Sequence, residues 1–487
     1  MSEKDERSPL KSAVSRRDFL KVAGVAGATV AVGAGLGGLV AACGGTEETT
    51  TTTAAATTTT AGATTTTAAA TTTSASAGVE MGREVKIGFV TPITGPLASF
   101  GVPDSYCVDR AKAAIGDGVV CGDGKKHPVT IIVKDCQSDS NRASQVTGDL
   151  INNDKVDIVT AASTPDTVAP VADQSEANGV PCITNDCPWQ SFIATRSGGD
   201  LTAVYKWTYH TFWGLEDVQA CFLDMWTQVP NNKVIGVMYP NDADGNAWKP
   251  GWEPVFTPNG YTAIIPSQFQ NGTEDFTAQI TEFKNAGCEV GLGVFIPPDF
   301  TNFWKQRAQQ GWFPKLGTYA KCLLFPQSLE ALGDVGINLT TEVWWTPAHP
   351  FKSALTNETC QQFADGFTAA TGKQWTQPLL HFIVFEMAVD TLQRTKSVDD
   401  KEAILAAVKT TKLETIGGLI DFTEPVQPQG PPWKVGPNHV VENCYKTPLV
   451  GGQWRKGTKW PYELTICSNA AGSMIEVQGK VEPLPTA

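Results

Sequence analysis

Seven short apolar runs punctuate the middle of the chain: Val85–Val90, Val129–Val133, Val156–Val159, Val180–Thr184, Val234–Tyr239, Thr262–Ile265 and Val290–Ile296. They are rich in Val and Ile and too short for helices, so they predict strands. Between them the apolar spacing widens to the helical period, as in "ASQVTGDLINND", "VAPVADQSEANG", "EDVQACFLDMW", "FTAQITEFKNAG" and "FTNFWKQRAQQG". Alternating strands and helices imply an α/β class with parallel sheets. The order strand, helix, strand, helix, strand begins at Val85 and again at Val234, which predicts two similar Rossmann-like lobes. Parallel sheets hold ligands at the carboxyl ends of their strands, so the loops after each strand are the places to search.

The first such loop is "TPITGPLASFG", Thr91 to Gly101, followed by the helical pattern "VPDSYCVDRAKAAI". Small residues between strand and helix suit a phosphate, a substrate under attack, or a ligand that is only carried. The phosphate reading lacks its spacing. Gly33, Gly35 and Gly38 spell GxGxxG, but no strand precedes them. "GVVCGDGKKHP" has the wrong spacing from Gly118 to Gly124, and Lys126 stands where a P-loop needs Ser or Thr. The attack reading lacks a nucleophile. No GxSxG or HExxH occurs, and His127, His210, His349, His381 and His439 form no triad pattern. Neither an enzyme nor a cofactor nor a metal site is expected.

The N-terminus reads as an address. Arg16 and Arg17 precede an apolar run, Val22 to Ala42, built from Ala, Gly and Val with two leucines, Leu36 and Leu39. Weak apolarity and small residues fit a processed signal better than a stable span. "SRRDFLK" resembles the twin-arginine export motif. "LVAAC", Leu39 to Cys43, resembles a lipobox, which makes Cys43 the lipidated residue of an extracytoplasmic, membrane-anchored protein. Residues 1–42 are then the signal, and 43–82 the lipidated Cys and linker. Thr46 to Ala77 is almost only Thr and Ala, cannot bury a core, and is expected to be disordered. Such a linker reaches roughly 5–6 Å × √n for n residues.

Composition narrows the partners. The 487 residues carry a net charge of -13, and no basic cluster lies beyond the first twenty-odd residues, which argues against nucleic acid and a membrane-surface role. Twelve cysteines without a CxxC pair predict structural disulfides in an oxidising compartment. Cys444–Cys467 is the leading pair, followed by Cys182–Cys187 and by Cys136 with Cys107 or Cys121.

"VKIGFVTPITGPLASFG", with "NGVPCIT", "VIGVMYPNDADG" and "FWKQRAQQGW", resembles the leucine/isoleucine/valine-binding family of substrate-binding proteins for ABC transporters, a type I periplasmic-binding fold. The resemblance implies two lobes joined by three crossings near Thr211, Trp345 and Ile420. Lobe 1 would comprise 83–211 and 346–420, and lobe 2 212–345 and 421–487. It also implies a monomer that closes on a small-molecule ligand and docks on a membrane permease. The alternatives are a ligand-sensing receptor of the same fold and, less favoured, an envelope enzyme.

The loops after the strands, together with the positions that the resemblance implies line the cleft, give the candidate ligand residues. Phe100, with Ser99 beside it, would face the cargo. Ser163, Thr164 and Thr167 would cap the next helix or receive a ligand carboxylate. Asp186, Cys187 and Trp189 stand where the family places small residues and hydroxyls. Asp244 replaces a family aromatic, Pro298 lies in a cleft loop, Lys321 stands where amino-acid binders carry a carboxylate, and His381 holds another lining position. These departures favour a ligand with an anionic head, met by Lys321 and His381, and an aromatic body, met by Phe100 and Trp189. An amine ligand stays open through Asp186 or Asp244.

Overall fold

The structure, a computed structural model, describes residues 78–427 and 441–486; the signal, Cys43 and most of the linker lie outside them. The chain opens with β1 (Val85–Thr91), α1 (Asp104–Ile115), a small hairpin of β2 (Val119–Val120) and β3 (Lys126–His127), then β4 (Val129–Asp135) and α2 (Ser140–Asp149). β5 (Ile158–Ala162), α3 (Pro165–Asn178), β6 (Cys182–Asn185), α4 (Trp189–Ser197) and β7 (Thr208–Thr211) complete the first run. These strands form one sheet in the order β7-β6-β5-β1-β4, all neighbours parallel. β5 and β6 are buried at every position, because helices cover both faces of a parallel sheet.

After β7 the chain crosses into a second sheet. α5 (Leu215–Thr227), β8 (Val234–Met238), α6 (Ala243–Phe256), β9 (Thr262–Ile264), α7 (Thr277–Asn285), β10 (Val290–Val294), α8 (Pro297–Gln310), β11 (Leu316–Ala320), α9 (Pro326–Leu332) and β12 (Thr340–Val343) build it. A second crossing at Trp344–Trp345 returns the chain to α10 (Cys360–Thr371), α11 (Ile383–Arg394), α12 (Lys401–Lys409) and the hairpin β13 (Lys412–Thr415) and β14 (Gly418–Asp421).

The third crossing lies later than Ile420. β15 (Cys444–Tyr445) pairs in parallel with β7 and so still belongs to the first sheet. Only at β16 (Leu449–Lys456) and β17 (Tyr462–Ala471) does the chain join the second sheet, in the order β17-β16-β12-β11-β10-β8-β9. The crossing is therefore Lys446–Pro448, and residues 421–427 and 441–445 go with lobe 1. Lys446 is held at the first crossing by Glu216 Oε1 at 2.9 Å and Asp217 Oδ1 at 2.6 Å. Two crossings also touch through rings, Phe212 meeting Trp344 edge-on at 5.1 Å.

All eleven cysteines among the described residues are free and buried, which overturns the disulfide expectation. Cys182 opens β6 and Cys187 lies beyond its end. At about 3.3 Å per residue the strand carries them beyond the ~7 Å that a bridge tolerates. Cys444 and Cys467 stand in different sheets. Cys136 packs in a different apolar cluster from Cys107 and Cys121. These thiols act as small apolar core groups.

Candidate functional site

The carboxyl ends of both sheets face one narrow cavity with about 30 Å³ of free space inside it. Lobe 1 contributes Phe100, Thr164, Pro165 and Asp186–Pro188; lobe 2 contributes Asp244, Trp248, Val294, Ala320, Lys321, Leu324 and Glu342. Phe212, Trp213 and Trp344 line it from the crossings. The lobes meet around it. Phe100 packs edge-on against Phe325 at 5.0 Å between centroids, and Asp166 Oδ1 accepts a hydrogen bond from the Ala243 N–H at 3.3 Å.

The opening loop takes its shape from two glycines. Gly95 has φ +91°, and a Cβ on Gly101 would lie 2.5 Å from the Pro92 carbonyl oxygen. Their freedom lets the chain turn tightly and set Phe100 into the cleft.

At the start of α3, Thr164 holds the N-cap position in extended backbone, yet its hydroxyl caps nothing. Thr167 Oγ1 donates to the Thr164 carbonyl oxygen at 3.2 Å. Ser163 Oγ, Thr164 Oγ1 and Trp213 Nε1 are buried with no hydrogen-bond partner. An unpaired buried hydroxyl or indole N–H costs about 1–3 kcal/mol, so Thr164 and Trp213, which line the cavity, are free to bond a solute that enters it. The side-chain cap expected at this helix start is not made by Thr164.

Asp186 lies just past β6 with φ +80°, a left-handed conformation costing about 1–3 kcal/mol outside glycine. It is held from behind. His381 Nε2 is 2.6 Å from Asp186 Oδ2, and His381 Nδ1 is 2.7 Å from Asp104 Oδ1. Thr91 Oγ1 donates to the other oxygen of Asp104. Burial works against the imidazolium, but the charges and hydrogen bonds of Asp104 and Asp186 outweigh it and bring His381 up to about 10. Burial lifts Asp186 to about 7 against the pull of His381. His381 is therefore cationic at neutral pH and faces carboxylates, not cargo.

Lys321 is tied in the same way. Its Nζ lies 2.7 Å from Asp244 Oδ2 and 3.4 Å from Asp242 Oδ2, and its side chain is 6% exposed. Burial opposes its charge, and Asp242, Asp244 and Asp166 overcome that and raise its pKa. Asp244 is lifted to about 6 by burial, against Lys321. Glu342 is lifted to about 7 by burial although the Lys321 N–H donates to it at 2.7 Å and Thr341 Oγ1 at 2.7 Å. The lining is thus aromatic and acid-rich, with its one cation already paired.

Of the residues singled out in the sequence, Phe100, Thr164, Asp186, Cys187, Asp244 and Lys321 line the cavity. Ser163 and Thr167 are buried beside it. His381 stands one layer back. Trp189 is fully buried, its Nε1 donating to Glu216 Oε1 at 3.2 Å. Ser99 borders a separate outer hollow, and Pro298 is exposed on the first turn of α8. The expectation that Lys321 and His381 receive an anionic head fails for one reason: each is already bonded to two carboxylates. Trp213, Trp248, Trp344, Glu342 and Asp166 were missed. Trp248 stands four residues after Asp244 on α6, hence on the same face, and that spacing was readable.

Two α/β lobes, three crossings and a shared cavity define a binding protein that encloses a small solute between its halves. Residues 84–435 match the family model described as periplasmic binding protein, and the chain belongs to that family. Residues 13–33 match the twin-arginine translocation pathway signal sequence. Together they make it a substrate-binding protein of an ABC transporter, exported to the extracytoplasmic space. It is 22% identical over 352 residues to the Leu/Ile/Val-binding protein homolog 3 of Brucella melitensis, covering 70% of this chain and 88% of that one. A leucine-binding protein of Thermotoga maritima superposes with TM-score 0.62 at 18% identity, over 78% of this chain and 97% of that one. A Rhodopseudomonas palustris solute-binding protein of an ABC transporter, in complex with 3,4-dihydroxybenzoic acid, gives TM-score 0.60 at 19% identity, over 82% and 99%. Both structural likenesses establish the fold.

Proposed function

We propose that the protein captures a small amine-bearing solute, an amino acid or close relative with an apolar or aromatic body, and delivers it to a membrane permease of an ABC importer. The observation that carries this is Asp186. One of its oxygens is bound to His381, and the carboxylate borders the cavity. A ligand ammonium would pair with it, which removes the cost of a buried, half-bonded carboxylate. Thr164 Oγ1 and the N-terminus of α3 suit a ligand carboxylate. Phe100, Trp213, Trp248 and Trp344 suit the body. The naming of the Brucella melitensis relative as a Leu/Ile/Val-binding homolog agrees with this reading.

Binding stabilises a closed state already favoured by contacts between the lobes. The role is carriage without turnover, Cys43 anchors the chain through lipid, and the protein acts as a monomer. Isothermal titration of unfolded and refolded, ligand-stripped protein against amino acids, amines and aromatic or short-chain acids tests the ligand. Tight binding confined to acids without an amine overturns the reading and favours the second one, an aromatic acid like that bound by the Rhodopseudomonas palustris neighbour. Detergent-phase partitioning of wild type against Cys43→Ala tests the anchor.

A further inference from the structure

We infer that Lys321 is a built-in counter-cation that restricts the cleft to ligands with a single positive charge, a specificity that rests on the amine reading above. Three carboxylates gather around Lys321, and one of them, Asp244, lines the cavity. Asp242 and Asp244 both reach Lys321 Nζ, at 3.4 and 2.7 Å, and Asp166 approaches from the opposite lobe to bond the Ala243 N–H at 3.3 Å. Lys321 is the only Lys, Arg or His among the residues lining the cavity, and it is 6% exposed. Its backbone has φ +69°, so the chain turns unfavourably at the point where the ammonium enters the acid cluster.

A second ammonium on a ligand would be attracted to the same carboxylates. It would find the place taken and would meet Lys321 at close range in a buried site, where like charges repel strongly. The arrangement therefore discriminates by repulsion as well as by contact. Asp186, on the other lobe and neutralised in part by His381, is left as the acceptor for the single ammonium.

L-Norleucine and L-lysine test this directly, since they differ by a terminal methyl against a terminal ammonium. Calorimetry on wild type should show norleucine bound at least tenfold more tightly than lysine; binding of the two within threefold overturns the inference without any variant. Lys321→Met should raise affinity for lysine and for 1,5-diaminopentane at least tenfold, and Lys321→Arg should leave both excluded. Because Lys321→Met leaves three carboxylates together, Lys321→Met/Asp242→Asn is run beside it and should show the same gain with less like-charge repulsion. Cooperative melting of these variants with no gain for either diamine overturns the inference. Failure of the amine reading looks different: wild type then binds neither norleucine nor lysine, while a diaminopentane gain in the variants still supports the role of Lys321.

Discussion

Replacing His381 by Gln removes the cation that joins Asp104 to Asp186, and its effect can be worked from the structure. His381 is fully buried and makes ion-paired hydrogen bonds of 2.7 and 2.6 Å. Its pKa rises from 6.5 to about 10. At about 1.36 kcal/mol per unit this rise is worth about 5 kcal/mol to the folded state. Leaving buried carboxylates without their partner independently suggests about 3–5 kcal/mol. The sign is fixed: a raised imidazole pKa gives stability that is complete below 6.5 and is lost as pH rises through about 10. Asp186, lifted by burial from 3.8 to about 7, likewise costs stability as pH rises, but only between 3.8 and about 7, so pH 7 to 10.5 isolates His381. Melting curves of both proteins across that window should differ by roughly 4–6 °C at pH 7.5. The gap should close toward pH 10.5, and ligand affinity at pH 7.5 should fall with it. A gap under about 1 kcal/mol, or one that stays constant to pH 10.5, would refute the cationic bridge.

Thr164→Val removes an unpaired hydroxyl, so the ligand-free protein should melt no earlier, while affinity for the cognate solute drops about tenfold by titration calorimetry. Phe100→Ala deletes the ring that meets Phe325 across the cleft, a change of about 3–5 kcal/mol for a buried Phe; small-angle scattering without ligand should show a larger radius of gyration than wild type, and saturating ligand should compact both. Thiol titration in denaturant without reductant should count all eleven cysteines beyond residue 77, and native protein should react at none of them over minutes.

The strands were legible where helices cover both faces. In β1, β5 and β10 every or nearly every side chain is buried, so the apolar run is continuous. β12, "TTEV", is equally buried but polar, because Thr340 and Thr341 bond neighbouring strand atoms and Glu342 holds the Lys321 amide. Polarity hid it. β16 was hidden by Gly451 and Gly452, where a Cβ would strike Met225 and Val343. In the site, residues directly after strands were found from position alone. His381 and Lys321 were found but misread, since charge type is visible in a sequence and charge pairing is not. Asp104 reaches His381 across 277 positions, a distance no local pattern reports. Glu342 carried a usable signal, a carboxylate set in "TTEVWW" beside two tryptophans.

The hydrogen bond from the Ala243 N–H to Asp166 gives one lobe a hand in finishing a helix of the other. The first N–H groups of any helix lack partners within it, and here one of α6's is met by a carboxylate that leaves whenever the lobes part. Opening thus bares a helix end to water, and closing covers it again. Hydrogen exchange at that single amide would then read the closed fraction of the protein without any label, and its protection should rise with occupancy of the cleft.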